Sequence, residues 1–147
     1  MHSFNTEIAP SSPESFIASQ TPPHSPLLPI LEIGNAKIFM ELATSSAAIQ
    51  KGLSGRLALA QNQGMLFVFA NPDYYRFWMP DMHFPIDIIW IKDHTVVGIT
   101  PNVSPQFDPR NPRFYLPPEP VQYVLEVHAG FSQKNNIKKG DHVRLHL

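Results

Sequence analysis

Apolar and polar positions along the chain fall into short alternating runs broken by punctuation residues. Met65 to Phe69, Tyr74 to Met79, Ile86 to Lys92 and Thr95 to Thr100 are rich in β-branched or aromatic side chains and separated by Asn, Asp or Pro, which predicts strands. Lys92-Asp93-His94 predicts a short hairpin connection, and Asn71-Pro72-Asp73 a turn in which proline presets φ. Upstream, Leu31 to Ile33 and Lys37 to Leu42 flank Gly34-Asn35, two residues that tolerate positive φ, so a tight hairpin is expected. Thr44 to Lys51 reads as a short helix with Thr44, Ser45 or Ser46 as N-cap and Gly52 as its stop. Tyr123 to His128 and His142 to Leu147 are further strands, with a short helix between them around Phe131 to Asn136. In the last strand Val143, Leu145 and Leu147 alternate with His142, Arg144 and His146, so one face belongs to the core.

The run IDIIWI, Ile86 to Ile91, is apolar at both parities and should be covered on both faces. Without an internal repeat or a βαβ alternation, the pattern predicts one mainly β domain over residues 31 to 147, α+β by strict count. Its expected form is a compact antiparallel barrel or strongly curved sheet with two short helices. Residues 1 to 30 differ: six of the 16 prolines lie there, with Glu7 and Glu14 as the only charges, as in an extended, flexible linker. Met1 to Glu14 has no Lys or Arg and no continuous apolar segment, so it is not itself a secretory signal. The stretch from Ala9 to Pro29 looks instead like the spacer that follows an export signal or membrane anchor. The domain is therefore expected to be exported, periplasmic or extracellular, and anchored through a segment preceding this sequence. Between Pro101 and Pro120 stand seven prolines and no strand-like run, the composition of a binding loop or lid.

Composition narrows the functional classes. At 147 residues and 43% hydrophobic the chain holds one core, and a net charge of -1 leaves no basic stripe for phosphates, so nucleic acid is not expected as a partner. Cysteine is absent, which excludes disulfides, thiolate metal sites and Cys nucleophiles. No run approaches the roughly 20 apolar residues that span a bilayer. There is no phosphate-cradling glycine loop, no HExxH and no EF-hand loop, and Gly52-Leu53-Ser54-Gly55 misses the nucleophile-elbow spacing by one residue. The expectation is a monomer without cofactor that binds a small polar ligand or an envelope protein.

Six motifs stand in order: Gly52-Leu53-x-x-Arg56, Gly64 to Phe69, Phe77-Trp78-Met79, Pro85 to Ile89, Tyr123 to Val127 with Ala129-Gly130, and Ile137-Lys138-x-Gly140-Asp141. Together they resemble the domain of unknown function DUF192 over residues 31 to 147. The resemblance implies a small, largely β domain of bacteria or archaea, often behind an export signal, with no assigned activity. Pro80 to Phe84 replaces the polar stretch usual between the FWM motif and the following proline. Ser54 replaces a usually apolar residue, so neither segment can borrow a role from the family.

Candidate chemistry centres on Asp87, because an ionised carboxylate inside an apolar strand costs several kcal/mol unless it is paired. Arg56 is the preferred partner and Arg76 the next, since a guanidinium fork matches a carboxylate. The plain reading is a strand-end carboxylate bonded to Arg56 or to backbone amides. The functional one is a polar cleft of Arg56, Trp78, Asp87 and Glu126, with Arg110, Arg113 and Tyr115 of the proline-rich loop as its lid. An enzyme using Asp87 or Glu126 as acid or base is the first alternative. A copper protein using Met82 and His83, with Met79 as a weaker ligand, is the second. Trp78, Trp90, Tyr74, Tyr75, Phe77 and Phe84 offer an aromatic platform for a sugar or peptide, although aromatic strands more often simply pack.

Overall fold

The computed structural model describes residues 28–146, so most of the expected linker, and Leu147, lie outside the described residues. Strands β1 (Ile30–Ile33) and β2 (Ala36–Ala43) form the expected hairpin, turning where Gly34 has φ 58°. Helix α1 (Ser46–Lys51) starts where the Ser45 hydroxyl accepts from the Ala48 amide, and ends at Gly52, φ 50°. Strands β3 (Gln63–Asp73), β4 (Ile86–Lys92), β5 (Thr95–Val103) and β6 (Val121–His128) follow, then helix α2 (Phe131–Lys134) and β7 (Val143–His146). The seven strands make one curled, half-barrel sheet in the order β5-β4-β6-β3-β2-β1-β7. Its two outer strands approach each other at one end, where Val143 donates to the His94 carbonyl and Val96 to that of Asp141.

Three local expectations need correction. The sheet is not wholly antiparallel: β2 and β3 run parallel, joined by a crossover that contains α1. The helix itself is readable from the sequence, but one short helix does not fix the direction in which the next strand joins the sheet. Asn71-Pro72-Asp73 continues β3 past a register shift instead of turning, and Tyr74 to Met79 is no ladder strand but a strap pinned by one bridge, Phe77 to Tyr115.

Both faces of the sheet are covered, which follows from the double-parity apolar runs. One face packs Met65 and Phe67 of β3, Ile86, Ile88 and Trp90 of β4 and Val124 of β6 under Leu53, Phe77, Met79 and Phe84 from the connections. The other packs Leu66, Ile89, Ile91, Leu125 and Val127 against Leu31, Ile38, Met40 and Ile137. At Gly64, β3 passes so close to β6 that a Cβ would stand 2.8 Å from the Glu126 carbonyl oxygen, so a side chain has no room there.

Candidate functional site

Asp87 and Glu126 are both buried, at 1% and 5% exposure, on adjacent antiparallel strands. The register aligns Ile88 with Glu126 and Asp87 with Val127. Successive side chains of a strand point to opposite faces, so one residue of offset sends the two carboxyls to opposite sides of the sheet. They do not form the shared acidic site that adjacent strands would otherwise permit.

Asp87 is fully engaged. Its Oδ1 accepts from the amides of Asn102 (2.9 Å) and Gly130 (3.2 Å). Its Oδ2 accepts from the amide (3.0 Å) and hydroxyl (2.7 Å) of buried Ser132. The carboxylate thus ties β5 and the start of α2 to β4, the second strand from one edge of the sheet. The expected Arg56 partnership does not form. Arg56 instead makes a two-pronged pair with Glu41 of β2, at 2.7 and 2.5 Å. Nearby backbone amides already fill the Asp87 lone pairs, leaving a guanidinium nothing to bond. This is the plain, amide-bonded reading of Asp87, and it removes Arg56 and Asp87 from a common cleft.

Glu126 has the opposite surroundings. No side-chain hydrogen bond or ion pair reaches it among the described residues, and burial alone pushes its carboxyl up to about 8. It helps line a cavity of about 260 Å³ with Phe67, Phe69, Tyr75, Phe77 and Trp78. The end of α1 and the segment after it, from Ile49 to Ser54, complete the wall together with Arg76, Pro80 and Met82. Of the four residues proposed for one cleft, the structure brings Trp78 and Glu126 to this cavity and leaves Arg56 and Asp87 elsewhere.

Trp78 is half exposed and continues the cavity outward. It stacks on Phe114 at 5.9 Å and meets Phe107 edge-on at 5.7 Å, while the Arg76 guanidinium lies over Phe114 at 4.8 Å. The proline-rich loop therefore does reach the site, but through Phe107 and Phe114. The proposed lid residues do something else. Arg110 pairs with Asp108 within the loop, Arg113 covers the ring of Tyr115, and Tyr115 exchanges backbone hydrogen bonds with Phe77. Arg113 and Tyr115 line a different hollow, shared with Met79. Trp90, Phe77 and Phe84 are core residues, Tyr74 is exposed, and Tyr75 stacks on Phe69 in the cavity wall, so the aromatic platform reduces to Trp78 with its loop partners and Tyr75.

The metal candidates separate as well. Met79 is buried in the core, Met82 lines the Glu126 cavity, and His83 pairs with Asp81 at 3.2 Å. Among the described residues no three His, Asp or Glu side chains converge on a point where a metal ion could sit.

A family model described as an uncharacterized ACR, DUF192, matches residues 30–145. The chain belongs to the DUF192 family. Among solved structures, a protein of unknown function from Novosphingobium aromaticivorans DSM 12444 is 33% identical, with a TM-score of 0.72 over 83% of this chain and 89% of that one. A protein from Sinorhizobium meliloti 1021, described as a candidate transcription regulator, is 28% identical, with a TM-score of 0.72 over 80% of this chain and 91% of that one. No curated protein matches. Family membership accounts for the curled sheet and leaves the occupant of the cavity to be argued from its own residues.

Proposed function

We propose that this DUF192 domain is a non-catalytic binding module of the cell envelope whose ligand site is the cavity above Glu126. One observation supports this most: a buried carboxyl without a partner faces a cavity walled by aromatic side chains. The carboxyl has no protein donor among the described residues and faces the cavity, so a bound molecule that hydrogen-bonds to it makes a contact the fold leaves open. The proline-rich stretch from Ala9 to Pro29 supports the envelope placement, and the net charge of -1 speaks against the nucleic-acid partner that a transcription regulator would need.

The raised Glu126 carboxyl also favours a second reading, a general acid or base. Binding is preferred because the wall adds no second carboxyl, histidine or free hydroxyl: the Ser54 hydroxyl donates to the Pro80 carbonyl and the Tyr75 hydroxyl to that of Asn71. A thermal-shift screen of small polar and aromatic compounds tests the site. Compounds that raise the Tm of the wild type and of Arg56→Ala, but not of Glu126→Gln, are the expected result. Hits that stabilise Glu126→Gln equally would place the ligand elsewhere. Recovery of the native protein solely in the cytosolic fraction of its own cells would remove the envelope placement.

A further inference from the structure

Charge is distributed unevenly along the Glu126 cavity. Its single acid is buried, whereas its two bases, Lys51 at the end of α1 and Arg76 in the strap after β3, are exposed and in no ion pair among the described residues. The same wall carries the apolar side chains of Phe67, Phe69, Phe77 and Met82. We propose that the cavity takes a small zwitterion of the ω-amino acid kind, its cation seated on Glu126, its aliphatic middle against the phenyl rings, and its carboxylate held by Lys51 and Arg76. This rests on the cavity being a ligand site and adds the class of ligand.

Each part of the ligand answers a separate feature. A desolvated carboxyl with no donor is best completed by a group that brings both charge and N–H donors, a primary ammonium or a guanidinium. Aromatic walls suit that choice, because ring faces attract cations and also pack methylenes. A plain amine would leave the two exposed bases unused and repelled by its charge, whereas a carboxylate at the far end turns the repulsion into attraction. The volume of about 260 Å³ is of the order that a ligand of amino-acid size needs.

Seating a cation requires Glu126 to be ionised, so binding carries a proton-release signature. The titratable groups that face the cavity with Glu126 are Lys51 from α1 and Tyr75 and Arg76 from the strap; at the aligned positions, flanking strands β3 and β4 present only Met65 and Ile88. With the Glu126 carboxyl pushed up to about 8, affinity for the zwitterion is expected to rise about 30-fold between roughly pH 6.5 and pH 9.

The test is calorimetry on the full chain with lysine, 5-aminopentanoate and 6-aminohexanoate, beside hexylamine, hexanoate and a neutral phenol as probes. At least one zwitterion should bind, tenfold or more tighter than hexylamine or hexanoate. Glu126→Gln should remove zwitterion binding and its pH dependence while leaving the fold intact by circular dichroism. Lys51→Gln with Arg76→Gln should lower zwitterion affinity about tenfold and leave hexylamine unweakened. Hexanoate binding as tightly as the zwitterions, or zwitterion binding indifferent to Glu126→Gln, would overturn the proposal. If phenol alone binds and depends on Glu126, the ligand class is wrong while the cavity reading stands. If no probe depends on Glu126, both are lost.

Discussion

Two carboxyls separated by one step of strand register have been treated in opposite ways by the fold. Around Asp87, four donors converge from β5 and from the start of α2. Around Glu126, on the other face of the same sheet, the described residues supply none. Burial is nearly equal, so exposure does not explain the difference. What differs is the covering layer. The Asp87 side is closed by backbone whose amides point at the carboxylate, and the Glu126 side is closed by side chains that leave a cavity. The first arrangement holds the domain together; the second leaves a carboxyl without a protein donor at a place open to a ligand.

The largest effect is expected from removing Asp87. Asp87→Ala would orphan three backbone amides and the Ser132 hydroxyl inside the protein. The expected loss is about 5 kcal/mol, comparable to the whole stability of a small domain. Denaturant unfolding of the purified variant measures it. A loss under about 1 kcal/mol would show that Asp87 is no anchor.

Glu126 should behave in the reverse sense. Its folded value of about 8 lies above the ordinary 4.5, so the folded protein binds this proton more tightly than the unfolded chain does. Stability from this group is therefore full below pH 4.5, declines as pH rises toward about 8, and is flat beyond. Glu126→Gln cannot ionise. At pH 8 it is expected to be more stable than the wild type by about 3 kcal/mol, after allowance for an unbonded buried amide, and to have lost the slope between. Urea midpoints at several pH values decide the matter, and an unchanged slope in the variant would assign the titration to another group.

Much of this architecture was legible because its signals are local. Alternation marked the strands, Gly34-Asn35 the hairpin, and Ser45 with Gly52 the limits of α1. Asp87 was visible as an anomaly inside Ile86 to Ile91, and its burial followed from its neighbours; Glu126 was visible only as a polar residue in a strand. Their partners were not visible. Asp87 is bonded mostly by backbone amides 15 to 45 residues away, and an amide carries no sequence identity. An arginine is conspicuous in sequence, which made Arg56 attractive, yet Glu41 lies on the strand beside its loop. Whether Glu126 shares a face with Phe67 or with Asp87 depends on inter-strand register, which a one-residue slip would invert.

Ser132→Ala probes the Asp87 side more finely. It removes one hydroxyl bond to the carboxylate but leaves the three amide bonds in place. The expected cost is about 2 kcal/mol with an unaltered pH profile near Glu126, measured by the same unfolding experiments. If Ser132→Ala instead shifted the Glu126 slope, the two faces would be coupled and the comparison between them would fail.

The smallest effect belongs to Arg56, which the sequence paired with Asp87 and the structure pairs with Glu41. Arg56 and Glu41 are both partly exposed, at 35% and 42% for their side chains, so water screens them. The hydrogen bond from Arg56 holds the Glu41 carboxyl below its ordinary range, with burial opposing. Its contribution is accordingly present above pH 4.5 and lost as pH falls through the lowered value. A double-mutant cycle with Arg56→Ala and Glu41→Ala is expected to give a coupling below about 1 kcal/mol at neutral pH, shrinking in high salt. A coupling of about 2 kcal/mol or more would make this pair a second structural anchor, one that fixes the segment from Gly52 to Ser54 at the cavity wall. Arg56→Ala would then disturb ligand binding without touching the ligand, and it could no longer serve as the neutral control against which the loss in Glu126→Gln is read.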